Sequence, residues 1–132
     1  MPYMLWALLA GNFAIGTGIM AAAATLNEVS ADFGVSVPVA GYPITAAGIV
    51  VCLGAPALAS VVAPFDRRRL LALSMIWYGV MHVLCALASD FTWLLVLRVL
   101  AVVPAAVFTP QAAACAGLLV PPEQRGRAIT FI

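Results

Sequence analysis

Lysine is absent from this chain of 132 residues, and charge of either sign is scarce, with six arginines and five acidic residues amounting to 8% of the sequence. An ordinary soluble domain carries about 25% charged residues. With 65% apolar residues, a chain this short could not hide its apolar surface from water, whereas lipid accepts it. The net charge of +1 gives no reason to expect a nucleic-acid partner. Histidine occurs once, as His82 in an apolar stretch, so no Ser–His–Asp or metal-ligand pattern is present. The three cysteines (Cys52, Cys85 and Cys115) also lie in apolar segments, without CxxC spacing. They read as small packing residues, not as a disulfide or metal set. Gly11, Gly16 and Gly18 fall inside an apolar run and so form no phosphate loop. These absences argue against an enzyme and against a metal or organic cofactor.

What the chain does have is four long apolar segments, at 3–26, 37–63, 70–88 and 92–120. A helix needs about 17–25 predominantly apolar residues to cross a hydrocarbon core roughly 30 Å thick. The fold class expected is therefore all-α integral membrane, with four transmembrane helices and the start of a fifth at 126–132. The gaps read NEVSADFGVS (27–36), PFDRRR (64–69) and SDF (89–91), and PPEQRGR (121–127) follows the last segment. Arg67, Arg68, Arg69, Arg125 and Arg127 occupy alternate gaps, and Glu28, Asp32 and Asp90 occupy the others. Because Lys and Arg are retained on the cytoplasmic side, the amino terminus and the two arginine-bearing loops are expected inside. A cleavable signal peptide is the competing reading of the first segment, with AAAA at 21–24 imitating a cleavage site. No basic residue precedes it and the run is of spanning length, so it is read as a retained helix.

Small residues recur at Ala10, Ala14, Gly18 and Ala22, and as Ala40/Gly41, Ala47/Gly48 and Gly54/Ala55. Such stripes let membrane helices approach closely, and they predict a packed bundle. The third segment has few of them and carries Trp77 and Tyr78, so it reads as the more peripheral, lipid-facing helix. Pro104 and Pro110 in the fourth segment each free a carbonyl four residues earlier, which another helix, a side chain or a cavity must satisfy.

Polar residues within the spans are the candidate site. Arg98 lies seven residues into the fourth segment, roughly 10 Å below its outer end. An arginine there costs about 2.5–3.5 kcal/mol and faces a cavity or a partner unless it snorkels to the headgroups. Asn12 and Gln111 sit at similar depth, roughly 13 Å from the inner ends of antiparallel helices. They are expected either to hydrogen-bond each other or to line a cavity. His82 reads as a neutral residue near the outer interface.

Together these residues resemble a known family. FAIGTG (13–18) with NEVSADFGVS (27–36), GAP (54–56) leading to RRRLL (67–71), RVLA (98–101), FTPQAAA (108–114) and LVPPEQRGRA (119–128) stand in a characteristic order. The chain resembles the amino-terminal third of a major facilitator superfamily transporter, in the bacterial drug and sugar efflux branch similar to arabinose efflux permeases. The pattern departs at Ile19 and Asn27, where relatives often carry glutamate and proline. It departs also at Ala63 and Pro64, in place of an aspartate–arginine pair, and at Val102 and Pro104, where glycines are usual.

The resemblance implies a bacterial inner-membrane protein that moves small molecules, most simply by proton-coupled efflux of drugs or sugars. Its partners would be a small-molecule substrate, protons, the bilayer and the remaining helices of a longer transporter. It implies substrate-cavity roles for Asn12, Thr17, Arg98 and Gln111, and a cytoplasmic gate or anchor at Asp66, Arg67, Arg68 and Arg69. Two alternatives stay open from the residues. One is a truncated or assembly-partner membrane protein without transport. The other is a dimeric four-helix multidrug exporter, a class that relies on a first-helix glutamate which this sequence lacks.

Overall fold

The computed structural model describes residues 3–132, and no strand occurs among them. The chain forms α1 (Tyr3–Ala24), α2 (Leu26–Phe33), α3 (Val37–Ala40), α4 (Tyr42–Val62), α5 (Arg67–Ala86), α6 (Phe91–Leu118), a single 3-10 turn (Pro122–Gln124) and α7 (Arg125–Phe131). Four stretches are long and apolar enough to cross a membrane: Tyr3–Ala24, Val37–Leu58, Arg67–Ala86 and Phe91–Leu118. At 1.5 Å per residue, the 20 residues of α5 span about 30 Å. The 28 residues of α6 reach about 42 Å, well beyond the hydrocarbon thickness.

Two of the five acidic residues start helices. Asp66 accepts from the backbone N–H of Arg69 at 2.9 Å, and Asp90 accepts from that of Trp93 at 2.9 Å. Each satisfies one of the amide donors left unpaired at a helix start. The third helix accordingly begins at Arg67, three residues earlier than the apolar run alone implies.

The expected loop at 27–36 is instead mostly helical. Leu26, Val29 and Phe33 recur at helical spacing and are half-buried, while Asn27, Glu28 and Asp32 face outward. The polar residues hid a short amphipathic helix. Gly34, at φ 63°, ends it in the left-handed conformation, and the Val35 N–H bonds the Ser30 carbonyl at 3.1 Å. The second segment is also divided, by a turn at Gly41. Pro43 has no N–H to continue the helix and sits in the first turn of α4.

α6 is the centre of the bundle, with α1, α4, α5 and α7 all packed against it. From Ala101 to Phe108 it is buried except for half-buried Val103. Ala101, Ala105, Ala106, Ala112 and Ala116 keep its surface low enough for neighbouring backbones to approach. The face of α1 that meets the bundle is Leu5, Leu8, Gly11 and Ile15. Ala10 and Ala14 are exposed, so only the Gly18/Ala22 end of the expected small-residue stripe reaches the interior. Gly11 lies so close to the ring of Phe108 that a β-carbon there would overlap it. α5 is less peripheral than its composition implies. It packs along α6, buries Ser74 and Tyr78, and donates from the Tyr78 hydroxyl to the Ile15 carbonyl of α1 at 3.1 Å. At one end of the bundle Phe33 meets Phe91 edge-on, and α7 brings Phe131 edge-on to Trp6 of α1.

Pro104 explains another contact. Without its N–H, the carbonyl of Leu100 loses its helical partner. The indole N–H of Trp77 donates to that carbonyl at 3.0 Å. Trp77→Phe should therefore destabilise the bundle by about 1–3 kcal/mol, the cost of an acceptor left unsatisfied where lipid offers no donor. In a Pro104→Ala background an amide is restored, and the loss should largely vanish. Thermal unfolding of the four variants in detergent checks this; an equal loss in both backgrounds would show that the Trp77 bond does not compensate for proline.

Candidate functional site

α1, α4, α5 and α6 line a half-open cavity of about 310 Å³. Its walls are almost wholly apolar: Ile19 and Ala22 from α1, Ile44, Ala47 and Val51 from α4, and Ala101 and Val102 from α6. Four groups of other chemistry reach it, namely Cys52, Tyr78, His82 and Arg98. The volume is at the small end of the range for pockets that bind organic molecules, about 300–1,000 Å³.

Arg98 is half-buried and donates from Nη1 to the Gly18 carbonyl of α1 at 3.3 Å. A guanidinium has five N–H donors, so this one long bond leaves most of its capacity free. Gly18 also makes room for α5: a β-carbon there would collide with the Tyr78 hydroxyl and lie 2.9 Å from His82 Nε2. Arg98 also borders a narrower gap of about 40 Å³ lined by Thr25, Val29 and Leu94, which lies toward the α2 end. Among the described residues no Asp or Glu lines either space, and none occurs within α1, α4, α5 or α6 after their caps.

Tyr78 and His82 lie one turn apart on α5 with ring centroids 4.2 Å apart. His82 Nδ1 is 2.9 Å from the Tyr78 carbonyl. A carbonyl only accepts, so Nδ1 carries a hydrogen. His82 thus belongs to the cavity wall and not simply to the outer interface. Tyr78 was not singled out by sequence. The available signal was its four-residue spacing from His82, together with the need of a phenol inside an apolar span to find an acceptor.

The remaining candidates are dispersed. Asn12 does not meet Gln111. Its carbonyl oxygen accepts from the Thr109 hydroxyl at 3.2 Å, and its amide donates to the Ile132 carbonyl at 2.9 Å. One turn of α6 exposes Thr109, whereas Gln111 points elsewhere and is half-buried. Thr17 is turned away from the Arg98 cavity. Its hydroxyl bonds back to the Phe13 carbonyl at 2.8 Å, and it lines a shallow groove with Phe13 and Met20 on the exposed side of α1. Asp66 serves as the cap of α5, with Arg67, Arg68 and Arg69 exposed at the helix end remote from the 87–90 turn. Cys52 is exposed on the cavity side of α4, while Cys85 and Cys115 are half-buried, which separates Cys52 from the packing role expected of all three.

Comparison with known proteins agrees with this architecture. The chain is 30% identical over its whole length to a chloramphenicol resistance protein of Streptomyces lividans, of which it spans 34%. It is 30% identical over 96% of its length to the inner membrane transport protein YdhP of Escherichia coli K12, of which it spans 33%. An uncharacterized MFS-type transporter of Bacillus subtilis, YfhI, is 29% identical over 96% of the chain. The chain thus spans about a third of the length of the curated relatives it matches. No solved structure matches it significantly. The profile of the Major Facilitator Superfamily matches residues 8–132, and the chain belongs to that family.

Proposed function

We propose that these helices form part of a secondary transporter that exports small molecules across the bacterial inner membrane in exchange for protons. The observation that carries this reading is a membrane-embedded arginine with free donors on the wall of an interhelical cavity. A charge at such depth is costly, and it marks a substrate or ion path by default. The names of the relatives, an antibiotic resistance protein and an inner membrane transport protein, support the same class. In family members, substrate sites lie near the midplane where repeats meet, and the halves rock around them. Helices corresponding to the rest of the relatives' length would supply the opposite wall. The full-length protein, expressed in a drug-sensitive strain, should lower the accumulation of lipophilic drugs, and an uncoupler should abolish the difference. Equal accumulation with and without the protein, across a broad drug panel, would remove transport from consideration.

The orientation follows from arginine placement. The Arg67–Arg69 and Arg125/Arg127 ends belong in the cytoplasm, with α2 and the 89–90 turn outside. Single cysteines at Ser30 and Asp90, in a cysteine-free background, should react with a membrane-impermeant maleimide in intact cells. One at Asp66 should react only after lysis. Labelling at position 66 from outside would invert the topology.

A further inference from the structure

We propose that His82 is a proton-binding residue of the cavity, taking its proton on Nε2, and that this proton and an apolar cargo exclude one another. This deepens the transport reading and rests on it. The Tyr78 carbonyl, 2.9 Å from Nδ1, fixes the hydrogen of the neutral ring on that nitrogen, so the basic lone pair belongs to Nε2. Tyr78 is itself anchored. Its hydroxyl bonds the Ile15 carbonyl of α1 at 3.1 Å, and its ring centroid lies 4.2 Å from that of the imidazole. The half-buried imidazole is thereby held in one orientation. Nε2 reaches the wall at Gly18, where the missing β-carbon leaves it room, and both residues line the cavity. Water has a way in as well. The gap of about 40 Å³ shares Ala22, Pro43, Ile44 and Arg98 with the cavity and runs on to Thr25 and Val29. That is space for about one water molecule.

The chemical step is a protonation. A proton carried by water adds to the Nε2 lone pair, imidazole becomes imidazolium, and the same N–H bond breaks where the proton is delivered. An imidazolium needs water or polar partners, and an apolar molecule filling the cavity takes that water away. Cargo therefore binds the neutral ring and the proton binds the cargo-free cavity, which is what exchange of one for the other requires. Among the described residues, the other titratable or charged groups near His82 are Tyr78 and Cys85 on α5, Arg98 on α6 and Cys52 on α4. The α1 wall of Gly18, Ile19 and Ala22 contributes none. Tyrosine and arginine side chains keep their protons from about pH 5 to 8, so the two thiols are the groups that controls must remove.

The full-length protein in lipid nanodiscs tests this. Nitrogen NMR of the His82 ring, assigned as the signal lost in His82→Gln, should show hydrogen on Nδ1 and a bare Nε2 at about pH 8, with acidification adding the second proton on Nε2. N-phenyl-1-naphthylamine, neutral and apolar across this range, is the probe for the cavity. Its Kd should rise about tenfold per pH unit once the imidazolium predominates, because the binding-competent fraction falls by that factor. In His82→Gln, and in His82→Phe, which keeps the aromatic stack, the Kd should no longer change with pH. Replacing Cys52 and Cys85 by alanine should leave the pH dependence intact. In cells, uncoupler-sensitive export of the probe should be lost in His82→Gln although the probe still binds. Hydrogen on Nε2 in place of Nδ1, no probe binding at any pH, a flat wild-type Kd, or the same pH dependence in His82→Gln would each overturn the proposal. Uncoupler-sensitive export by His82→Gln as strong as by the wild type would overturn it too, while leaving transport itself standing. Exclusion of the probe by a proton on His82, without export of any compound of a broad drug panel, would uphold the site and sink the transport reading.

Discussion

Arg98→Ala is expected to reduce export by the full-length protein about thirtyfold or more, while its abundance in the membrane stays the same or rises. The two effects have different physical origins. If Arg98 hydrogen-bonds the cargo, truncating a charged hydrogen-bonding group costs about 2–5 kcal/mol of ligand interaction, which sets the lower bound on lost activity. Insertion responds oppositely, because an arginine within a membrane span carries a penalty of up to about 2.5–3.5 kcal/mol that alanine removes. A merely structural arginine would lower abundance together with activity. Export rates normalised to immunoblotted protein separate the two cases. An unchanged normalised rate would mean that the side chain only reaches toward the headgroups, and the bond to Gly18 would then be incidental. Arg98→Lys should fall between, since an ammonium keeps the charge but not the planar fork of donors.

The parts of the fold that composition determines were legible in the sequence. Spanning length, apolar content and arginine spacing depend on no tertiary contact, and four helices of spanning length overlap the four apolar runs. What escaped was whatever depends on which face of a helix meets which neighbour. α2 was hidden because its polar residues suggest a loop until the half-buried Leu26, Val29 and Phe33 are seen to share a stripe. Asn12 and Gln111 have matching depth, but depth does not give rotation about the helix axis, and the rotation of α6 presents Thr109 to Asn12 instead. Tyr78 and Trp77 look lipid-facing by type. One is buried against α1 and the other answers a proline on α6, and both facts require the partner helices to be placed first. Arg98 was visible because a charge in an apolar run stands out whatever surrounds it. Its cavity was not visible, being made by four separate segments.

The three glycines of α1 give the other large expected effect, because they are chemically alike and sterically different. A β-carbon at Gly16 meets nothing within 4 Å, whereas one at Gly11 overlaps the Phe108 ring. Phe108 is 3% exposed and surrounded by the core of α6, so it has little room to retreat. Gly16→Ala should therefore stabilise the protein slightly, by up to about 1 kcal/mol, the usual gain of alanine over glycine inside a helix. Gly11→Val should destabilise it by about 3 kcal/mol or more, the upper range for forcing atoms into a filled core. It should also displace α1 from α6, and with it the Gly18 carbonyl that holds Arg98. Thermal unfolding in detergent, followed by circular dichroism or by dye labelling of exposed thiols, compares the two. Phe108→Leu should recover part of the loss in the Gly11→Val background while being harmful alone, since it opens space where the valine needs it. If Gly11→Val and Gly16→Ala unfold at the same temperature, α1 does not lie against α6 along this face, and the cavity built on that contact falls with it.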